Sequence, residues 1–135
     1  MRQIILDFPK QFDYWPLTEN PRPHKGYKQI IVCGMGGSHL PADILKTITK
    51  LPITVHSDYG LPEIKETDLA LVIASSFSGN TEEVLDSAKT ALTQNIDLVI
   101  IAKGGKLLAL AKTEKLPYIK LPEVNIEPRH ALGYS

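Results

Sequence analysis

Between residues 28 and 121, short apolar runs alternate with longer segments in which apolar residues recur every three or four positions. The runs are QIIVC (Gln29–Cys33), ITVHS (Ile53–Ser57), LALVIA (Leu69–Ala74), IDLVIIA (Ile96–Ala102) and YIKL (Tyr118–Leu121). LALVIA and IDLVIIA are apolar almost throughout rather than alternating, the pattern of parallel strands covered on both faces. The segments between them have helical period. Over Asn80–Thr93, Val84, Leu85, Ala88, Ala91 and Leu92 fall on one stripe. Over Leu40–Lys50, Leu40, Ile44, Leu45 and Ile48 do the same, and KLLALAK (Lys106–Lys112) reads as a shorter helix. A small connection holding Leu61, Pro62 and Ile64 precedes the third strand.

This alternation predicts βαβ units with right-handed crossovers. The expected fold class is α/β: a three-layer α/β/α sandwich around a five-stranded parallel sheet, in the flavodoxin-like order 2-1-3-4-5. Before this 28–121 core, residues 1–27 read as a short helix carrying Phe8, Phe12 and Trp15, then a Pro-rich loop. The aromatics are expected to form a flap on the core. Residues 122–135 form a C-terminal segment. A chain of 135 residues suffices for one domain with a real core.

Charge narrows the function classes. Lys plus Arg and Asp plus Glu both number 15, and no basic cluster marks a nucleic-acid surface. The apolar runs reach about seven to eight residues, against the roughly 20 that span a bilayer, so no membrane contact is expected. MRQIILDFPKQF lacks the features of a signal peptide, and the expected location is the cytoplasm. Cys33 is the only cysteine, so no intramolecular disulfide can form. It closes an apolar strand and reads as a buried small hydrophobe.

Candidate chemistry concentrates in two loops. In an open α/β sheet, ligands bind beyond the carboxyl ends of the strands, where the strand order reverses. For the expected order that point lies between strands one and three. GMGGSH (Gly34–His39) follows strand one, and SSFSGNT (Ser75–Thr81) follows strand three. Gly34, Gly36 and Gly37 let backbone amides turn toward an anion, and Ser38 stands at the entry to the next helix. Ser76, Ser78 and Thr81 add hydroxyl donors around the following helix start. Asn80 can cap that helix, with Glu83 three residues on as in a capping box. The cradle contains no lysine. Amides, hydroxyls and helix dipoles suit a phosphate monoester with a neutral polyol beside it. The bland alternative is two tight turns with good caps. AKGGKLL (Ala102–Leu108) reads as a loop and helix start rather than a ligand site.

The nucleotide P-loop fails here, because the glycines end in Ser38–His39 rather than Gly-Lys-Ser/Thr. A dinucleotide fingerprint is a weaker rival. Gly34 and Gly36 fit, His39 occupies the third glycine's place, and Asp58 stands near where a ribose-binding acid would lie.

GMGGS and SSFSGNTEE resemble the loops of the sugar isomerase (SIS) domain. With the terminal EPRHALGY, and with DFPKQF and SDYGLP, the chain is similar to the bifunctional phosphoglucose/phosphomannose isomerase family. The resemblance implies a single SIS domain over residues 1–135 that leads to a second SIS domain, and a glucose-6-phosphate/mannose-6-phosphate aldose–ketose isomerase without cofactor or metal. It implies phosphate binding by Gly37, Ser38, Ser76, Ser78 and Thr81, and stabilisation of an enediolate by Arg129. The family's glutamate base and histidine acid lie in its second half. Among local groups, Glu82 and Glu83 fall on a helix start, Glu127 precedes Pro128, and His24, His39, His56 and His130 are scattered. His39 departs from the family, which often has a small residue there. The expected partners are a sugar phosphate and either a second SIS domain or a second copy in a homodimer. The alternative is a stand-alone SIS module that binds a sugar phosphate for regulation.

Overall fold

The computed structural model describes residues 2–126 and 130–134. A two-residue strand, β1 (Thr18–Glu19), precedes five longer ones: β2 (Gln29–Cys33), β3 (Ile53–His56), β4 (Ala70–Ser76), β5 (Asp97–Ala102) and β6 (Tyr118–Lys120). The sheet order is β1-β6-β5-β4-β2-β3. The five parallel strands thus follow the expected order, with β2 between β3 and β4. The sheet has six strands rather than five. β1 adds antiparallel to β6, pairing Thr18 with Ile119 and Glu19 with Tyr118. Two residues are too few to show a strand period, and the prolines around them confine the segment to an edge.

The helices are α1 (Arg2–Asp7), α2 (Leu40–Ile48), α3 (Glu82–Thr93) and α4 (Gly105–Thr113). The apolar stripe of α3 is the one the period marks. Val84, Ala88 and Ala91 are buried with Leu107 and Ala111 of α4 against Ile31, Cys33, Val72, Ala74, Leu98 and Ile100. These strand residues alternate along their strands and so share one face of the sheet. Burial raises the Cys33 thiol to about 11, which keeps it protonated and inert at neutral pH.

The opposite face is covered less completely. It carries Ile30, Val32, Ile73 and Ile101, and α2 lies along it through Pro41, Ala42 and Leu45, leaving a groove of about 220 Å³. The expected third layer is therefore partial. Ala42 is the residue α2 buries, whereas Ile44, Leu45 and Ile48 of its apolar stripe are 45%, 42% and 72% exposed.

The N-terminal segment also differs from expectation. A 3-10 turn, Phe8–Asp13, follows α1. Gln11 donates from Nε2 to the His130 carbonyl at 2.6 Å, and the Tyr14 hydroxyl donates to the Lys120 carbonyl at 2.7 Å. These bonds tie the start of the chain to its end. Phe12 and Trp15 are 66% and 83% exposed, so they do not form a flap on the core. They flank a segment held by polar anchors rather than by their own burial.

Candidate functional site

Three loops leave the carboxyl ends of β2, β4 and β5 side by side. The order of the strands accounts for this: β2 pairs with β4, and β4 with β5 out to Ser76 opposite Ala102. Ser38 of the first loop accepts a hydrogen bond at Oγ from the Phe77 backbone N–H of the second, at 3.3 Å. The two motifs singled out in the sequence are thus joined directly. Of the first loop's glycines, Gly36 has a positive φ, and Gly34 is backed closely by the His39 backbone.

The hydroxyls of the second loop bond to one another. Ser76 Oγ is 2.8 Å from Thr81 Oγ1 and 3.5 Å from Ser78 Oγ, and it accepts the Gly79 N–H at 3.0 Å. Ser76 itself is buried, whereas Ser78 is exposed. Thr81 stands at the N-cap of α3, yet no side chain caps that helix. Its first-turn N–H groups are therefore free of a side-chain acceptor, and an anion is favoured there by amide and dipole together.

Asn80 corrects the capping-box expectation. Its Oδ1 accepts from the Lys106 N–H at 3.0 Å, so it serves the first turn of α4, not of α3. This contact belongs to an interlock between the second and third loops. Lys103 N–H donates to the Phe77 carbonyl at 3.0 Å, and Leu107 N–H to the Gly79 carbonyl at 2.9 Å. Gly79 has φ +79°, and a Cβ there would stand 1.8 Å from the Gly104 carbonyl oxygen. Gly105 has φ +69°, and its Cβ would meet Asn80 Oδ1 at 2.6 Å and the Ser78 carbonyl oxygen at 2.7 Å. Both positions demand glycine on conformation and on space.

The third loop brings a residue that the sequence reading excluded from the cradle. Lys103 lines, with Ser78, Gly104, Gly105, Glu123, Val124 and Asn125, a cleft of about 350 Å³. Its Nζ lies 5.1 Å from the centre of the Phe77 ring. The sequence signal was the double glycine of AKGGK, which marks a close backbone approach without naming its partner.

The other candidates fall elsewhere. His39 Nδ1 is 2.5 Å from Asp43 Oδ2, one helical turn along. His56 Nε2 is engaged by the Tyr59 carbonyl at 3.1 Å, as expected of a strand-end histidine. His24 Nδ1 accepts from the Gly26 N–H. His130 Nδ1 is buried and has no hydrogen-bond partner among the described residues. Asp58, the would-be ribose acid, accepts from the N–H of Tyr59 within its own turn at 2.7 Å. Arg129 and Glu127 lie outside the described residues. A separate groove of about 310 Å³, lined by Arg22, His24, Tyr27, Leu71, Asp97 and Val99 among others, sits at the amino ends of β4 and β5. It is at the opposite edge of the sheet from the hydroxyl loop. Among the described residues, no helix is long and apolar enough to cross a membrane.

No protein-family model matches the chain. Relatives do. A bifunctional phosphoglucose/phosphomannose isomerase of Caldicellulosiruptor bescii is 37% identical over 111 residues, covering 79% of this chain and 32% of the relative. One of Aquifex aeolicus is 33% identical over 138 residues, covering 98% of this chain and 41% of the relative. The chain thus spans well under half the length of these relatives. Among solved structures, a Clostridium difficile protein assigned as a phosphosugar isomerase superposes with a TM-score of 0.60 at 16% identity, over 98% of this chain and 39% of its own. The Vibrio vulnificus NanR protein, solved in complex with ManNAc-6P, superposes with a TM-score of 0.50 at 17% identity, over 82% of this chain and 40% of its own. The chain is homologous to the bifunctional phosphoglucose/phosphomannose isomerases over part of their length, and it has the SIS fold of phosphosugar isomerases.

Proposed function

We propose that this chain is the sugar-phosphate-binding SIS domain of a glucose-6-phosphate/mannose-6-phosphate aldose–ketose isomerase. The observation that carries this reading is the hydroxyl cluster of Ser76, Ser78 and Thr81 at a helix start that no side chain caps. Hydroxyls placed only to cap α3 would be bonded to its first amides. Here they face one another, and Ser38 of the first loop accepts from the Phe77 N–H between Ser76 and Ser78. A phosphate monoester takes the free amides of α3 and the hydroxyls of Ser78 and Thr81, with Gly37 and Ser38 as the other wall. The names of the homologues support the substrate class.

Isomerisation moves a proton between adjacent carbons, and it needs a base at the carbon and an acid for ring opening. The cradle residues hold and orient, which lowers the entropic part of the barrier. In this proposal Arg129 stabilises the enediolate, and the base and acid come from a second SIS domain or a second copy of the chain. The test is titration calorimetry with glucose 6-phosphate, fructose 6-phosphate, free glucose and NADH. The phosphates should bind and glucose should not. Equal affinity for glucose and glucose 6-phosphate would end the phosphate-cradle argument, and binding of NADH alone would favour the dinucleotide reading.

A second reading has one observation behind it: NanR, of similar fold, was solved holding a sugar phosphate. Under that reading the chain binds a sugar phosphate for regulation. A coupled isomerase assay on the longest natural form of the protein separates the two, since a regulatory module binds the ligand without converting it.

Assembly follows from the partly covered sheet face. Ile44, Ile48 and Leu51 are exposed beside the groove over Ile73 and Ile101. Exposed apolar area of this kind is usually buried in a partner. The 135-residue chain is expected to sediment as a dimer at micromolar concentration. A monomer independent of concentration would refute this.

A further inference from the structure

We infer that Lys103 is the residue that makes this site select a doubly charged anion, so that its ligand class is the dianionic phosphate monoester rather than any singly charged ester. This rests on the proposed phosphate cradle and deepens it. The cradle's other donors are neutral: backbone amides and the hydroxyls of Ser38, Ser78 and Thr81. Amides and hydroxyls bind a sulfate ester about as readily as a phosphate ester, because both offer three acceptor oxygens. They distinguish one negative charge from two only through partial charges. A nearby unit cation distinguishes them far more strongly, since Coulomb energy scales with the product of the charges.

Lys103 is that cation by position and by lack of other employment. It is the first residue after β5, and its backbone is fixed to the second loop by the bond from its N–H to the Phe77 carbonyl. It lines the same cleft as Ser78. Its side chain is half-buried and pairs with no carboxylate among the described residues. The acid across the cleft, Glu123, is held instead by Lys120 at 3.2 Å. The ammonium rests near the face of the Phe77 ring, an attraction worth less than a charge-assisted bond to phosphate. The resting contact keeps the cation beside the hydroxyl loop without neutralising it. Lys106, the other lysine of AKGGK, contributes its backbone N–H to Asn80 and does not line this cleft.

The test compares glucose 6-phosphate with glucose 6-sulfate by calorimetry, on the wild type and on Lys103→Gln and Lys103→Arg. A phosphate monoester passes from one charge to two with a pKa near about 6, whereas a sulfate ester keeps one charge throughout. At pH 7.5 the wild type should prefer the phosphate about tenfold or more, and Lys103→Gln should lose most of that preference while Lys103→Arg keeps it. The phosphate affinity of the wild type should rise between pH 5 and 7, and this rise should flatten in Lys103→Gln. A merely structural lysine would weaken both esters equally and leave their ratio and the pH profile unchanged. An unchanged ratio in Lys103→Gln overturns the inference while leaving the cradle intact, provided that Ser78→Ala still weakens phosphate binding. Failure of the wild type to bind glucose 6-phosphate overturns the cradle and this inference together.

Discussion

Gly79→Ala is expected to destabilise the protein severely, with Gly26→Ala as the mild control. Both glycines have a positive φ, +79° and +67°. A left-handed conformation costs a non-glycine residue roughly 1–2 kcal/mol. At Gly26 that is the whole penalty, because nothing lies within 4 Å of the added Cβ. At Gly79 the Cβ would also stand 1.8 Å from the Gly104 carbonyl oxygen and 2.7 Å from its carbon. Backbone cannot rotate away as a side chain can, so the two loops must separate. That breaks the bonds from Leu107 N–H to the Gly79 carbonyl and from Lys103 N–H to the Phe77 carbonyl. Overpacking adds about 1–3 kcal/mol, and each broken bond about 0.5–1.5 kcal/mol. Against a total stability of order 5–15 kcal/mol, the variant is marginal. Urea denaturation should show Gly79→Ala losing at least about 2 kcal/mol more than Gly26→Ala. Equal losses would mean that the loops part at little cost, and that the cleft between them is not a rigid wall.

The paired substitution Ser78→Ala with Thr81→Ala should do the opposite: leave the fold standing and remove the ligand. Neither hydroxyl caps α3. Ser78 Oγ, at an exposed position, accepts a local bond from the Asn80 N–H at 3.2 Å and lies 3.5 Å from Ser76 Oγ. Thr81 Oγ1 bonds to Ser76 Oγ, which keeps its second partner, the Gly79 N–H. The stability loss should therefore stay near about 1 kcal/mol per site. Hydrogen bonds to a charged group are worth about 1.5–3 kcal/mol each, so two of them together correspond to a fall in affinity of about 10²- to 10⁴-fold. Calorimetry with glucose 6-phosphate reads the affinity, and circular dichroism and thermal melting read the fold. A lower melting temperature with unchanged affinity would reassign these hydroxyls to structure alone.

Much of the architecture was legible in the residues. LALVIA and IDLVIIA predict buried parallel strands, and they became β4 and β5, paired from Leu71 opposite Asp97 to Ser76 opposite Ala102. The stripe of Val84, Ala88 and Ala91 became the buried face of α3. The expected strand order placed GMGGS and SSFSGNT on one edge of the sheet, and Ser38 does meet Phe77 there. These expectations rest on period and on chirality, which are local properties that each segment carries by itself.

Other features depend on which segments meet, and no segment carries that alone. β1 exists because β6 offers an edge to Thr18 and Glu19, not because those two residues favour a strand. Asn80 is expected to cap α3, but Thr81 stands at that N-cap, and no side chain caps the helix. Only the docking of AKGGK beside Asn80 turns its Oδ1 to Lys106 instead. The apolar stripe of α2 reads as core, yet Ile44 and Ile48 stay exposed because the sheet face beneath holds only one flank of the helix. Lys103 is 25 positions from Ser78 along the chain, and the pairing of β4 with β5 sets them in one cleft. The sequence by itself determined the elements, their order and the two hydroxyl- and glycine-rich loops, because backbone preference and hydrophobic period act over a few neighbouring residues. The tertiary structure alone decided which loop residues meet at that edge of the sheet, because that follows from strand pairing and loop contact between residues far apart in the chain.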